Sequence, residues 1–204
     1  MLMEGSINHK TGIVILAAGS SSRLGKPKQL LAYKNTTLLK NTINEAALVS
    51  DAQIVVVTGS NHQLVKEEIR TDKIKISFNP DWEVGMSSSI VKGLKDLLTE
   101  FPETEKCIFA VCDQPHVSAA VFENLIKEYH TIKKGIAASA YANTLGTPVL
   151  FDKKYFDELL ALKGQEGAKK IITKFLDDTV AVVFEKGNID IDTAEDYDNL
   201  ISAY

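Results

Sequence analysis

The sequence predicts an α/β domain built on a largely parallel sheet. Two observations carry this. Apolar runs rich in β-branched residues alternate along the chain with amphipathic segments, and several of those runs are apolar without interruption, as strands buried on both faces are. A third agrees: no low-complexity tract, repeat or linker divides the 204 residues. We expect a flexible leader over residues 1–11 and one domain over 12–204.

The strands are expected at GIVILAA (12–18), AQIVVVTG (52–59), KIKISF (73–78), KCIFAVC (106–112), GIAASAY (135–141), TPVLF (147–151) and TVAVVFE (179–185). Helices are expected between them. TTLLKNTINEAALV (36–49) places Leu38, Leu39, Ile43, Ala46 and Ala47 at close to helical spacing. SSSIVKGLKDLL (87–98) and SAAVFENLIKEYHTI (118–132) open on serines that suit an N-cap. KKYFDELLALKG (153–164) ends on Gly164, a C-cap candidate, and AKKIITKFL follows. The final segment, TAEDYDNLISAY, opens on Thr193 with acidic residues that complement a helix N-terminus.

Composition narrows the function classes. With 45% hydrophobic and 25% charged residues the chain has an ordinary globular makeup, and a net charge of −4 offers no basic field for nucleic acid or an anionic membrane. Its apolar runs are strand-sized, too short for a membrane span. The opening MLMEGSINHKTG lacks the apolar centre of a secretory signal, so a cytoplasmic location is expected. Cys107 and Cys112 share one strand, about five steps of 3.3 Å apart, which puts them beyond disulfide reach. The four histidines show no metal-ligand spacing.

In a parallel sheet, ligands bind beyond the carboxyl ends of the strands, and the unusual residues lie just there. After the first strand, AAGSSSRLGKPK combines Gly19 and serines, which allow close backbone approach to an anion, with Arg23, Lys26 and Lys28 as cations for phosphate oxygens. Its spacing fits neither of the two common glycine-rich phosphate loops. In NPDWEVGMSSSI (79–90), Gly85 and the serines enter a helix whose free N–H groups could face a ligand; an ordinary N-cap is the alternative. Asp113, delivered by the strand ending in AVCDQP, is either a helix cap or a ligand for a hard cation. In NIDIDTAEDYDNL, Asp190 and Asp192 alternate on an extended segment and so face one way. LGTPVLF and LKGQEGAKKII bring Gly146, Pro148, Gly164 and Gly167, walls for a second substrate.

These motifs resemble a known family. LAAGSSSRLGKPKQL, with C-D-Q-P at 112–115 and D-I-D-T-A-E-D-Y at 190–197, is similar to the nucleotidyltransferases that transfer a nucleoside monophosphate from a nucleoside triphosphate, especially the molybdenum cofactor cytidylyltransferase branch. Ala17-Ala18-Gly19 and Pro27-Lys28 separate it from guanylyl relatives, which usually carry L-A-G-G and D-K. The resemblance implies a Rossmann-like three-layer sandwich with a mostly parallel, mixed central sheet of the nucleotide-diphospho-sugar transferase type. It also implies transfer of CMP from CTP to the phosphate of molybdopterin, with Mg2+ as cofactor and release of pyrophosphate. A recipient molybdoenzyme or its chaperone would be the further partner. Transfer to a sugar or alcohol phosphate, and a non-catalytic molybdopterin carrier, are the alternatives.

By the same resemblance Leu16, Ala17, Ala18, Gly19, Ser20 and Ser21 bind the nucleotide with Arg23 and Lys28, and Asn79, Gly85, Met86 and Ser89 line its base and sugar. Arg23, Lys28 and Asp113 are the catalytic residues, the two cations holding the β- and γ-phosphates. Asp113 and Asp192 hold the metal, with Asp190 as second choice. Gly146, Pro148, Gly164 and Gly167 bind the acceptor, although Thr147, Gln165 and Lys169 replace the branch's usual polar residues. The Ala18 methyl is expected to crowd a two-ring base more than a one-ring base.

Overall fold

The computed structural model describes residues 10–21, 24–69 and 74–202. In chain order the elements are β1 (Thr11–Ala17), β2 (Ala32–Tyr33), β3 (Thr36–Thr37), α1 (Leu38–Ala47), β4 (Gln53–Thr58), α2 (His62–Glu68) and β5 (Lys75–Phe78). They continue with α3 (Met86–Glu100), β6 (Lys106–Val111), α4 (Ala119–Ile132), β7 (Ile136–Tyr141) and β8 (Thr144–Asp152). α5 (Phe156–Leu160), α6 (Ala168–Lys174), β9 (Thr179–Val183) and α7 (Ala194–Ser202) complete the chain. Seven strands form one sheet in the order β5-β4-β1-β6-β8-β7-β9. β4, β5 and β6 are parallel to β1, and β9 to β7, while β8 runs antiparallel to both its neighbours. The sheet is therefore mostly parallel and mixed.

Alternation along each central strand explains the three layers. Ile13, Ile15 and Ala17 of β1 share one cluster with Leu39, Ile43 and Ala46 of α1 and Phe122, Leu125 and Ile126 of α4. Val14 and Leu16 face the other way, towards Ile90, Leu94 and Leu97 of α3 and Ile171 and Ile172 of α6. β6 divides likewise: Ile108 and Ala110 to the first cluster, Cys107 and Phe109 to the second. Both cysteines are free and buried, and burial pushes both thiols up, Cys112 to about 12, so neither supplies a thiolate. Among the described residues no helix is long and apolar enough to cross a membrane.

Some elements differ from expectation. The β2–β3 hairpin turns on Lys34 and Asn35, both at positive φ, and its two-residue strands are too short to show a period. α2 is short and mostly polar, with Val65 its only fully buried side chain among the described residues. α3 begins one residue before the serines, with Gly85 at the N-cap and no side-chain cap. Ser118 stands at the N-cap of α4 without a side-chain bond there; Glu45 of α1 instead accepts from the Ala119 N–H at 2.9 Å. α5 stops at Leu160, so Gly164 is no C-cap but part of a separate turn. Lys10 pairs with Glu105 at 2.6 Å and β1 starts at Thr11, so the fold begins slightly before residue 12.

α3 packs closely on the sheet at Gly93, where an added Cβ would lie 2.5 Å from Val14 Cγ1 and 2.7 Å from Val57 Cγ2. Alanine would gain about 1 kcal/mol of helix propensity, but overpacking two β-branched side chains costs roughly 1–3 kcal/mol. Gly93→Ala is therefore expected to lower stability by about 1 kcal/mol in urea unfolding; a rise in the midpoint would contradict this account of the α3–sheet contact.

Candidate active site

The site forms where parallel strands end together. Leu16 of β1 pairs in register with Val111 of β6, so the loops that follow them leave the sheet side by side. This is how Lys28 meets Asp113, 85 residues away: its Nζ lies 2.5 Å from Asp113 Oδ2. The same ammonium lies 2.9 Å from Asp192 Oδ1. The Lys28 and Asp113 side chains are only 17% and 19% exposed, and Asp192 34%. Burial alone would pull the lysine's pKa down. The charge and hydrogen bond of Asp113, joined by the hydrogen bond to Asp192, outweigh it and raise the pKa well above the ordinary value. Lys28 is a fixed cation.

The loop after β1 owes its shape to buried polar contacts. Gln29, 1% exposed, donates through Nε2 to the carbonyls of Ala17 (3.0 Å) and Gly19 (2.8 Å). Ser21, at φ +56°, accepts from the Lys28 N–H through Oγ at 3.0 Å. Gly19 and Ser20 stay exposed, and a Cβ built on Gly19 meets nothing within 4 Å. The protein's own packing thus leaves that glycine's surface open to a ligand. Arg23 lies outside the described residues. Lys26 Nζ sits 5.1 Å from the Tyr197 ring centroid, over α7.

The second carboxylate is carried by an anchored strap. The Ile191 N–H donates to the Asp113 carbonyl at 3.0 Å, and the fully buried Ile191 side chain packs with Leu31, Tyr33, Leu38 and Leu200. With Ile191 turned inward, the alternating Asp190 and Asp192 turn outward. Asp196 fixes the second of them, accepting from the N–H groups of Asp192 (3.1 Å) and Thr193 (2.7 Å) while its own N–H donates to Thr193 Oγ1 (3.2 Å). That is a reciprocal helix-capping arrangement with aspartate as its acid. Asp190 is exposed and lines a crevice of about 560 Å³ with His116, Lys186 and Asn188. Partial desolvation, then the like charges of Asp113 and Asp192, push its carboxyl up.

The turn at Gly85 is closed rather than open. Gly164 O accepts from Ser87 Oγ at 2.7 Å and from the Ser87 N–H at 3.4 Å, and the Ser88 N–H goes to Gly85 O. Two of the N–H groups expected to be free for an anion at this helix start, those of Ser87 and Ser88, are therefore already used within the protein. Gly85, at φ +130°, lies so near Gly164 that a Cβ would come within 2.3 Å of its carbonyl oxygen. Gly167 lies against the Met86 sulfur. Asn79 and Ser89 are buried, and Asn79 Nδ2 donates to Ser88 Oγ (2.9 Å) and Ser89 Oγ (3.0 Å), so the asparagine amide is spent on holding the turn. Ala18 is buried in the core cluster, and its carbonyl accepts from the Ser60 N–H at 3.1 Å.

On the other side, Gly146 lies against Tyr141, whose Oη a Cβ would meet at 2.2 Å, and Pro148 O accepts from Ser139 Oγ at 2.7 Å. Gln114, buried beside Asp113, ties this region in by donating to Thr147 O (3.1 Å) and Gly187 O (2.6 Å). Gln29 and Gln114 lie inside the P-K-Q-L and C-D-Q-P motifs with no sequence signal of these contacts, whereas Asp196, expected only as an acidic residue at a helix start, is marked as a cap by the T-x-x-D spacing.

Asp113 Oδ2 and Asp192 Oδ1 converge on one cationic atom, and two carboxylates are what a magnesium-type ion takes from protein before filling its shell with phosphate and water. Among the described residues no three His, Cys, Asp or Glu side chains converge as a metal cage.

An open anion-facing loop beside paired carboxylates, on a mostly parallel sheet, defines a nucleotide-binding transferase site. The chain belongs to the MobA-like NTP transferase family, whose domain matches residues 13–180, a family of nucleotidyltransferase enzymes. It is 25% identical over 187 residues to the molybdenum cofactor cytidylyltransferase of Escherichia coli K12, covering 90% of this chain and 92% of that one. It is 28% identical over 193 residues to the nicotine blue oxidoreductase of Paenarthrobacter nicotinovorans, covering 89% and 92%. A solved protein from Mycobacterium sp. strain JC1 matches with TM-score 0.84 at 30% identity, covering 97% and 98%. A Mycobacterium tuberculosis H37Rv protein solved in complex with manganese matches with TM-score 0.79 at 26% identity, covering 96% and 100%.

Gln29→Ala would leave the carbonyls of Ala17 and Gly19 without this donor. An orphaned partner costs roughly 1–3 kcal/mol, and about 1.4 kcal/mol is tenfold in affinity. The nucleoside triphosphate substrate should bind the variant at least about tenfold more weakly by calorimetry, with a melting temperature only a few degrees lower. Wild-type affinity would show that the loop keeps its shape without Gln29.

Proposed function

We propose that this protein transfers CMP from CTP to the terminal phosphate of molybdopterin and releases pyrophosphate. The observation that carries the reading is the Lys28–Asp113–Asp192 constellation beside the open Gly19 loop, in a chain of the MobA-like family. The cytidylyl choice rests on Ala17-Ala18-Gly19 with Pro27-Lys28, and on the likeness to the Escherichia coli cytidylyltransferase.

An acceptor phosphate oxygen attacks the α-phosphorus in line; the bond from that phosphorus to the oxygen bridging to the β-phosphate breaks, and the electron pair leaves with pyrophosphate. A phosphate monoester has a second pKa of about 6, so the nucleophile is already anionic and needs no general base. Catalysis is then positioning and charge stabilisation. Lys28 and Arg23 offset charge on the β- and γ-phosphates, and the loop backbone from Leu16 to Ser21 cradles the triphosphate. Asp113 and Asp192 would hold Mg2+, which when bound supplies positive charge to the reacting phosphates. Gly146 and Pro148 flank the acceptor side. Gly164 and Gly167 act through the Gly85–Met86 turn they pack on. The two free, buried thiols suit a cytoplasmic setting.

The test is pyrophosphate release with each of the four nucleoside triphosphates, with and without molybdopterin. CTP should exceed GTP by at least about tenfold in kcat/KM, the range that pocket fit supplies. Release with a sugar or alcohol phosphate instead would keep the transferase and replace the acceptor. Molybdopterin binding without release from any nucleotide would make the protein a carrier. Asp113→Asn and Asp192→Asn should each abolish release while the circular dichroism spectrum is kept. Near-normal turnover of Asp113→Asn at saturating magnesium would remove that carboxylate from the metal site.

A further inference from the structure

The Lys28 ammonium occupies the point on which the two carboxylates converge. Its Nζ lies 2.5 Å from Asp113 Oδ2 and 2.9 Å from Asp192 Oδ1. A magnesium-type ion bonds such oxygens at about 2.0–2.1 Å, and Nζ already touches both of them. The ion would therefore lie within roughly 5 Å of the ammonium, in a site where the lysine is 17% exposed. Water screens like charges poorly there, so the ammonium and the ion are rivals for the same oxygens.

We propose that Lys28 is a resident counter-ion that a divalent cation must displace, so that metal is taken up together with the nucleotide. The loop is built for such an exchange. Ser21 Oγ holds the Lys28 backbone N–H at 3.0 Å, and Gln29 pins the loop to the carbonyls of Ala17 and Gly19. The backbone stays fixed while a flexible four-carbon stem carries the charge. Gly19 and Ser20 are exposed on the same loop, and a triphosphate arriving there offers the ammonium other anionic oxygens. It also offers the ion the ligands that two carboxylates leave unfilled. The lysine thus neutralises the carboxylate pair before the nucleotide arrives and faces phosphate afterwards. By linkage, nucleotide and metal tighten one another by one common factor.

This inference rests on the nucleotidyl-transfer reading, but its test needs no turnover. Mn2+ alone is titrated into the purified protein and free Mn2+ is read by electron paramagnetic resonance. Lys28→Met and Lys28→Gln should bind Mn2+ at least tenfold more tightly than the wild type. A CTP analogue with a non-hydrolysable α–β bridge should tighten Mn2+ binding in the wild type by at least tenfold more than in the variants. Wild-type affinity equal to or stronger than that of the variants overturns the proposal. Should neither variant fold, acylation of Lys28 in the wild type, read by mass spectrometry, follows the same exchange. Mn2+ at a concentration that saturates the protein should raise Lys28 labelling, and unchanged labelling overturns the proposal. Pyrophosphate release with unaltered Mn2+ affinity would defeat only this inference, and Mn2+ exchange without release would defeat only the transferase reading.

Discussion

The ion pair that Lys28 makes with Asp113 and Asp192 joins residues 85 and 164 positions apart, and much of the architecture serves to let those three side chains meet. Parallel pairing of β1 with β6 brings the first two loops out at one sheet end. The C-terminal strap then has to return across the same edge. It does so through a backbone bond from Ile191 to Asp113 O and through the buried Ile191 side chain, which forces its acidic neighbours outward. Breaking a buried ion pair by removing one partner costs roughly 3–5 kcal/mol. This pair is only partly buried, so its worth to the fold is smaller, and its value lies in fixing charge at a chosen point.

The parts of the fold legible in the sequence were those with a strong local signal. The interiors of β1, β4 and β6 read as strands because both faces are buried and nearly every position is apolar. The β2–β3 hairpin and α2 were not legible. Two-residue strands have no period to detect, and a polar seven-residue helix owes its place to Val65 and the tertiary packing around it. Asp113 and the Asp190/Asp192 pair stood out because carboxylates at strand ends are unusual. Which member of the pair meets Lys28 depends on the Asp196 cap and on Ile191 facing inward, and neither can be weighed without the fold.

Gln29 and Gln114 illustrate a second limit. Each is buried and spends its amide on backbone carbonyls, the first shaping its own loop after β1 and the second tying Asp113's neighbourhood to the distant Thr147 and Gly187. From composition alone a glutamine is expected in solvent, since it is mostly exposed in proteins. Its role appears only when the carbonyls that need a donor are known.

The closed turn at Gly85 sharpens the division of charge within the site. Had the first N–H groups of α3 been free, the helix start could have shared the work of meeting phosphate. Gly164 O and Gly85 O take those of Ser87 and Ser88, and Asn79 is committed to holding the same turn. On the proposed reading, positive charge for a triphosphate comes from the loop after β1. Lys26 is turned over Tyr197 of α7, and Lys28 is the cation that the described part of the loop directs at the carboxylates. One lysine therefore stands at the junction of two demands, neutralising Asp113 and Asp192 and meeting phosphate charge. It cannot satisfy both at full strength at once, so on the proposed reading electrostatics couples the uptake of nucleotide and metal.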